Sequence, residues 1–200
     1  MVGRLYLIVD PMCSWCWGFR AVWNTFQSEL PPSVIVTDLM GGLAPDSTEP
    51  MNAQTRAYIQ DAWHAVSART GARFNFSFWD VCQPKRATYP ACRAVIAAGF
   101  QKQSSRTQLY AAIQQAYYLE ARDPSDHDTL IALGAEVGLD TTQYECDLTG
   151  AAVQAAFESE LVQVRSFGVS GFPTVLWQPA GATGRDIHVL AAGFTDLDTL

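Results

Sequence analysis

The chain has few charged side chains and no long apolar run. Charged residues make up 16% of the 200 positions, and hydrophobic residues make up 48%. No stretch approaches the roughly eighteen uninterrupted apolar residues that indicate a membrane-spanning helix. The composition therefore predicts a soluble globular protein, long enough to bury one core and without a membrane partner.

Positive charge is especially scarce. There are 13 Lys and Arg residues against 20 Asp and Glu residues, which gives a formal net charge of -7. Binding to phosphates requires clustered cations, whereas these are scattered along the chain. We therefore expect no nucleic-acid partner.

Cysteines are too few and too unevenly spaced for a disulfide-rich scaffold. An odd number leaves at least one unpaired within the chain, which favours a reducing compartment. The start, "MVGRLYLIVDP", has an apolar run of only five residues, shorter than the core of a secretory signal. The sequence therefore predicts a cytoplasmic protein. The five cysteines are Cys13, Cys16, Cys82, Cys92 and Cys146.

The first forty residues have the pattern of a βαβ unit. Leu5 to Val9 is a short apolar run before Pro11, which predicts a buried strand. Ser14 to Leu30 has apolar residues at helical spacing and ends at two prolines. The segment "SVIVTDLMGG" then predicts a second strand, and such crossovers build parallel, right-handed pairs.

From about residue 51 to 167 the pattern becomes helical. The segment "RFNFSFW" inside this block alternates like a strand, but without a nearby partner strand we interpret it as an extended connector whose aromatic rings fill the core. Apolar residues at three- and four-residue spacing predict the following helices: Gln54 to Thr70, Tyr89 to Gln103, Thr107 to Ala121, Asp126 to Val137 and Ala151 to Phe167.

The end of the chain returns to strand patterns. The segments "FPTVLWQ" and "IHVLAAG", joined by a glycine-rich loop, predict an antiparallel hairpin. "TDLDTL" then predicts a very short helix with Thr195 as its N-cap. The whole order predicts an α/β fold, in which a sheet domain of residues 1–50 and 150–200 is interrupted by an all-helical insertion of residues 51–149. The boundaries are expected near residues 45–52 and 140–150.

Cys13 and Cys16 form a Cys-x-x-Cys motif that follows a strand and opens a helix. The pair has three interpretations: a redox couple, half of a zinc site, or two inert thiols. At a helix N-terminus the unpaired N–H groups favour the thiolate of Cys13, and Cys16 lies one turn further on, where it can close onto it. No second Cys-x-x-Cys or close Cys/His pair completes a zinc site, so we expect no metal. Ser14 and Trp15 then tune the pair and contact the substrate.

Two segments, "DPMCSWCWGF" and "GVSGFPTV", together resemble the DsbA-like branch of the thioredoxin-fold oxidoreductases. The resemblance covers nearly the whole chain and implies a thioredoxin fold interrupted by a helical insertion domain. It also implies that Phe172, Pro173 and Thr174 form a cis-proline loop against Cys13. The backbone of Phe172 would then pair with a bound peptide as an added strand.

The dipeptide between the cysteines, Ser14-Trp15, differs from the Pro-His of strongly oxidising DsbA. The sequence is more similar to cytoplasmic FrnE-type members and to their cousins, the 2-hydroxychromene-2-carboxylate isomerases and kappa-class glutathione transferases, which carry Ser in place of the first cysteine. The resemblance implies a thiol:disulfide oxidoreductase that acts on a protein or small-molecule thiol or disulfide, with no bound cofactor and with glutathione as a candidate co-substrate.

Two other functions stay open. One is a glutathione-dependent isomerase or transferase that acts on a small aromatic or polyketide-like molecule. The other is a redox-inert binding protein with a helical recognition domain.

Several further residues carry predictions. Asp10 either shuttles a proton for Cys16 or simply begins a turn. Trp15 is expected to form an exposed platform, and Trp17 to be packed. Thr195 with Asp196 either caps a helix or holds the γ-glutamyl end of glutathione. Cys82 and Cys92, nine residues apart, are either a second redox pair or, as we expect, buried and unreactive thiols, and Cys146 is expected to be a structural thiol of the same kind. The three histidines, His64, His127 and His188, are expected to be surface or helix residues.

Overall fold

A computed structural model describes residues 2–182 and 186–200 of the chain. Four strands form one sheet: β1 Arg4–Val9, β2 Ile35–Met40, β3 Thr174–Gln178 and β4 His188–Ala192. Eight α-helices are described: α1 Ser14–Glu29, α2 Ala53–Thr70, α3 Phe78–Val81, α4 Tyr89–Gln101, α5 Gln103–Leu119, α6 His127–Glu136, α7 Thr141–Leu148 and α8 Ala151–Ser166. A 3-10 helix, Leu197–Thr199, follows β4.

The strands lie in the order β2-β1-β3-β4. β1 is parallel to β2 and antiparallel to β3, so that Tyr6 faces Thr37 on one side and Leu176 on the other. β3 pairs with β4 in an antiparallel hairpin. The predicted βαβ unit and hairpin are therefore confirmed, although part of the hairpin loop, residues 183–185, lies outside the described residues. The apolar composition of β1 follows from its central place, since its side chains from Leu5 to Val9 are buried.

The helical block occupies the chain between β2 and β3, as predicted. Two details differ. Lys102 is extended, with φ -158° and ψ 132°, so α4 ends at Gln101 and α5 begins at Gln103, four residues before the predicted start. The short helix α7 was not predicted; its N-terminus is capped by the side chain of Asp140, which accepts a hydrogen bond from the backbone N–H of Gln143.

The connector "RFNFSFW" has no regular secondary structure as far as Asn75 and then turns through Phe76 and Ser77. Its aromatic rings pack on Trp63, a fully buried residue of α2. The ring centroids of Phe74 and Phe76 lie 5.1 and 5.7 Å from that of Trp63. The last part differs from the prediction, because Phe78 begins the single-turn helix α3. The connector therefore contributes aromatic side chains to the core and no strand to the sheet.

One cluster of buried side chains runs through both the sheet and the helical block. It includes Leu5 of β1, Phe19 of α1, Trp63 of α2, Tyr144 of α7 and Phe157 of α8. The division into two domains at the predicted boundaries stays a prediction. Within the described residues, no helix is both long and apolar enough to cross a membrane.

An ion triad of a buried arginine and two partly buried carboxylates joins the sheet to two helices. Arg106 of α5 pairs through Nε with Asp38 of β2, and through a terminal nitrogen with Glu160 of α8 at 2.8 Å. The backbone N–H of Met40 donates a further hydrogen bond to Glu160 at 2.6 Å. Burial raises the pKa of Glu160, although Arg106 opposes that shift. The triad fixes the end of β2 against α5 and α8.

The C-terminal prediction of Thr195 as an N-cap is wrong. The final helix begins at Leu197, so the N-cap position falls on Asp196, whose side chain caps nothing. Its carboxylate instead forms a two-bond ion pair with Arg69 of α2. Both side chains of this ion pair are exposed to solvent.

We expect Arg106→Met to destabilise the protein by about 1–3 kcal/mol, because two partly buried carboxylates then lose their cation. The free energy of unfolding in urea measures this change. Arg69→Met is the matched control, since it removes the same group from an exposed pair, and it should leave the unfolding midpoint nearly unchanged. Equal effects of the two substitutions would contradict the assignment of the triad.

Candidate active site

The two motif cysteines lie where β1 passes into α1. Cys13 occupies the N-cap position of α1, and its backbone N–H donates to the carbonyl oxygen of Asp10 at 3.1 Å. Cys16 lies one turn further along the helix. Both are free thiols, and both are buried, with 6% and 3% of their surface exposed. The first sulfur thus lies at the helix N-terminus that the sequence predicted.

The two thiols are not equivalent. Burial raises the pKa of Cys16 well above its usual value, and a hydrogen bond to Cys13 adds to this shift. Cys16 therefore keeps its proton and donates it toward the Cys13 sulfur. This arrangement suits Cys13 for attack on an incoming disulfide and Cys16 for a later step, since the thiolate is the nucleophile.

The loop before β3 lies against Cys13 although it is about 160 residues away in sequence. The Cys13 thiol donates to the carbonyl oxygen of Phe172, with sulfur and oxygen 3.6 Å apart. The peptide bond between Phe172 and Pro173 is cis. The carbonyl of Pro173 accepts from the backbone N–H of Gly193 at 2.7 Å, and the buried Thr174 hydroxyl donates to Gly171 at 2.8 Å. The proton of that hydroxyl is thus used within the loop, and the Thr174 residue itself is paired with Ile8 of β1 and Ala192 of β4 in the sheet.

The ring of Phe172 is seated on a glycine at the end of β2. A Cβ atom at Gly41 would lie 2.1 Å from the Phe172 ring, a distance that no carbon pair adopts. Only glycine therefore allows Phe172 its observed position. This contact links the end of β2 to the loop that faces Cys13.

Asp10 is completely buried behind the cysteine pair. Its Oδ1 accepts from the backbone N–H of Met12 at 2.8 Å, and its Oδ2 accepts from the backbone N–H of Leu43 at 2.7 Å. Two side chains of the helical block also donate to Oδ2, Thr88 at 2.5 Å and Cys92 at 3.5 Å. Burial raises the pKa of Asp10, and these four hydrogen bonds oppose the shift. Through its bond to Met12, Asp10 stabilises the turn before α1, which is one of the two roles predicted for it.

Two tryptophans flank Cys16. Trp17 is packed, as predicted: its ring stacks on Tyr118 at 5.4 Å, and its Nε1 donates to the carbonyl of Arg73 at 3.0 Å. Trp15 is half-buried and contacts Phe194, with the centroids 6.2 Å apart. Its predicted platform role stays a prediction, as does the substrate contact of Ser14.

A cavity of about 240 Å³ lies on the other side of Cys16, between α1, α5 and the first two strands. Its walls are mostly apolar, with Leu7, Phe19 and Met40 among them, and Tyr110 of α5 contributes a hydroxyl. Gln114 donates to that hydroxyl at 3.0 Å. Cys16 therefore borders a cavity that neither Cys13 nor Phe172 lines.

The other cysteines do not share one environment. Cys92 is buried, and half-buried Cys82 donates to the carbonyl of Ala121 at 3.2 Å. The prediction that Cys146 is buried is wrong, because it is exposed on α7, which buries Tyr144 and Leu148 instead.

All three histidines are exposed, as predicted. In residues 2–182 and 186–200, no group of three or more His, Cys, Asp or Glu side chains is arranged to hold a metal ion.

Comparison with known proteins decides the family. A family model described as Thioredoxin matches residues 6–200, almost the entire chain. The chain belongs to the thioredoxin family. The resemblance drawn from the two sequence motifs is therefore confirmed at the level of DsbA-like thioredoxin-fold proteins, while the FrnE-type branch stays a prediction.

Solved structures of similar thioredoxin-family proteins are disulfide oxidoreductases. A candidate protein disulfide isomerase from Nitrosomonas europaea is 27% identical with a TM-score of 0.86, covering 100% of this chain and 94% of that one. A cytosolic disulfide reductase from Pseudomonas aeruginosa, DsbM, solved with GSH, is 26% identical with a TM-score of 0.74, covering 94% of this chain and 89% of that one.

Curated relatives of this thioredoxin-family chain carry a different kind of name. The ClpXP adapter protein SpxH of Bacillus subtilis is 21% identical over 174 residues, which is 86% of this chain and 57% of that protein. The SpxH protein of Bacillus cereus is 20% identical over 191 residues, 92% of this chain and 62% of that protein. The chain thus spans about 57–62% of the length of these relatives.

Sequence reasoning missed three residues of this thioredoxin-family site. Thr88 received no role, Cys92 was expected to be inert, and Gly41 was treated only as the end of a strand. Thr88 and Cys92 lie 78 and 82 residues from Asp10, so no local spacing could have revealed their contacts. Gly41 carried a weak signal, the glycine pair that closes β2.

We expect Gly41→Ala to displace the Phe172 ring and to change the rate at which iodoacetamide alkylates Cys13. The added methyl group should also cost about 1–3 kcal/mol of stability, the usual effect of overpacking. Gly171→Ala is the matched control. Gly171 directly precedes Phe172, and a Cβ there meets nothing within 4 Å. An unchanged alkylation rate in Gly41→Ala would show that the ring does not govern access to Cys13.

Proposed function

We propose that this protein is a thiol:disulfide oxidoreductase that works through Cys13 and Cys16. The observation that carries the proposal is a pair of free thiols at the start of a helix, the first of which contacts the carbonyl of Phe172, in a thioredoxin-family chain. The names of the similar solved structures support the same class of reaction.

In the proposed reaction the Cys13 thiolate attacks one sulfur of a substrate disulfide. A mixed disulfide forms between Cys13 and the substrate, and the other substrate sulfur leaves as a thiolate. Cys16 then loses its proton and attacks the Cys13 sulfur. The Cys13–Cys16 disulfide forms, the second substrate thiol leaves, and two electrons have passed from the cysteine pair to the substrate. The reverse sequence oxidises a dithiol.

Asp10 is the proposed acceptor of the Cys16 proton. It lies in the turn just before the motif, its negative charge contributes to the raised pKa of Cys16, and burial gives it an affinity for protons above that of an ordinary carboxylate. Because only 3% of the Cys16 surface is exposed, a nearby protein group is better placed than bulk solvent to take this proton.

The proposed docking point for a peptide substrate is the backbone of Phe172. In the described part of the chain its N–H makes no hydrogen bond, and its carbonyl accepts only from the Cys13 thiol. Both groups are therefore available to a peptide that pairs as an added strand. Trp15 and Ser14 lie beside Cys13 and would contact the substrate side chains.

Glutathione is the proposed co-substrate, since one similar structure is described with GSH. The same observation favours a second candidate function, a glutathione-dependent isomerase or transferase for a small aromatic molecule. Asp196 is a poor candidate to hold the γ-glutamyl end, because its carboxylate is already paired with Arg69.

We further infer a reducing compartment, the cytoplasm, from the odd number of cysteines and from the cytosolic description of DsbM. A redox-inert binding role is the third candidate function, since the SpxH relatives are named as adapters. That role predicts that the cysteine pair is dispensable.

We expect Cys13→Ser to reduce catalysed insulin reduction by dithiothreitol to the uncatalysed rate, because no thiolate then starts the exchange. Turbidity of the released insulin chain measures the rate. Cys146→Ser is the control, because it removes an exposed thiol outside the site and should leave the rate unchanged. Full activity in Cys13→Ser would reject the oxidoreductase proposal in favour of the binding role.

We also expect a Cys13–Cys16 disulfide to accumulate in glutathione buffers, with a midpoint nearer the roughly -270 mV of thioredoxin than the roughly -120 mV of DsbA. Alkylation of the remaining thiols, followed by mass spectrometry, measures the populations. If only a glutathione adduct on Cys13 forms and Cys16→Ser keeps glutathione-dependent turnover, the isomerase or transferase function replaces the first proposal.

A further inference from the structure

The first turn of α4 reaches the buried carboxylate behind the cysteine pair. Thr88 is the N-cap residue of α4, and Cys92 lies one turn further on, with its backbone N–H bonded to the Thr88 carbonyl at 3.1 Å. Their side chains therefore share one face of the helix. Both side chains donate to the same atom, Oδ2 of Asp10.

The direction of the Thr88 hydrogen bond is fixed by its neighbours. The backbone N–H of Ala44 donates to the Thr88 hydroxyl oxygen at 3.0 Å. The hydroxyl oxygen is thus used as an acceptor there, and its own proton points to Asp10 at 2.5 Å. The Ala44 carbonyl oxygen is a second acceptor within reach of that proton, but it lies 3.5 Å from the hydroxyl oxygen. The charged Asp10 carboxylate is therefore the nearer and stronger acceptor for Thr88.

The two oxygens of Asp10 are consequently unequal. Oδ2 accepts from Leu43, Thr88 and Cys92, whereas Oδ1 accepts only from the backbone N–H of Met12. Since a carboxylate oxygen has about two lone-pair sites, Oδ2 is saturated and Oδ1 keeps room for a proton.

We propose that Thr88 and Cys92 are positioning residues that hold Asp10 as an ionised proton acceptor, with Oδ1 open to the proton of Cys16. The inference rests on the proposed oxidoreductase function and extends it, because it gives the helical block a part in the resolving step. When Cys16 attacks the mixed disulfide, its proton passes to Oδ1, the Cys13–Cys16 bond forms, and the substrate thiolate leaves.

The effect of the two donors has a definite sign. Hydrogen bonds to the charged form lower the pKa of Asp10, against the larger upward effect of burial. Without either donor the pKa rises further, and Asp10 is ionised only at higher pH. The other titratable groups that interact with Asp10 are Cys16 of α1 and Tyr110, Tyr117 and Tyr118 of α5.

The test uses the aromatic disulfide 5,5′-dithiobis(2-nitrobenzoate) and measures the two released thiolates by absorbance. Attack by Cys13 releases the first, and closure by Cys16 releases the second. All proteins carry Cys146→Ser, which removes the exposed thiol. A second protein that also carries Cys16→Ser should release only the first thiolate, together with any thiolate released by reaction at Cys82. The rate of the second phase is recorded against pH.

In the pH–rate profile of the second phase, the acidic limb is the range where the rate rises with pH as Asp10 loses its proton. We expect Thr88→Val to move this limb to higher pH by about one unit, which is a rate loss of about tenfold at a fixed pH on the limb. Cys92→Ala should move it by a smaller amount, since a thiol is a weaker donor. Thr88→Ser and Cys92→Ser keep a donor and should restore the wild-type limb. The first phase should not change in any of them.

Thr37→Val is the matched control, because its hydroxyl bonds Arg4 away from the site. If Thr88→Val does not fold, the comparison of Cys92→Ala with Cys92→Ser decides. One outcome would overturn only the role of the two donors. In that outcome the pH–rate profile of the second phase is unshifted in Thr88→Val and Cys92→Ala, although Asp10→Asn abolishes its acidic limb. An unaltered acidic limb of the pH–rate profile in Asp10→Asn would overturn the role of Asp10. The absence of any second phase in the parent protein would overturn the proposed oxidoreductase function itself.

Discussion

An ionised carboxylate in a protein interior is strongly unfavourable unless it is hydrogen-bonded on its free lone pairs. Asp10 meets this constraint with donors from three separate segments: the turn before α1, the loop after β2, and the first turn of α4. Those segments must converge for the residue to be buried at all. The junction of the sheet with the helical block is thereby held at the point where the cysteine pair lies, and the Arg106 triad holds the same two parts together near the end of β2.

The same convergence separates the properties of the two thiols. Cys13 lies at the end of its helix and contacts the Phe172 loop, while Cys16 lies deeper, close to the charge of Asp10 and bordered by the cavity. Burial and a neighbouring negative charge both favour the protonated form of Cys16. The order of the two proposed attacks thus follows from position alone, and the intervening Ser14-Trp15 need not impose it.

Much of this could be predicted from local patterns. The βαβ unit, most helices and the position of Cys13 at a helix start depend on residues close together in sequence, and those predictions are confirmed. Contacts between distant segments could not be predicted, because hydrophobic periodicity says which face is buried but not which polar group it meets. Thr88 and Cys92 belong to this second class. Cys146 illustrates a further limit, since the short helix α7 was too weakly patterned for its exposed face to be recognised.

The dependence of Asp10 on α4 has a consequence for how such proteins diverge. A substitution at Thr88 or Cys92 would change the proposed transfer of the Cys16 proton to Asp10, although all four residues of the Cys-x-x-Cys motif stay the same. Two family members with identical motifs could therefore resolve mixed disulfides at different rates. On the proposed roles of Thr88 and Cys92, a chimera that exchanged the helical block between them would transfer part of the difference in that rate.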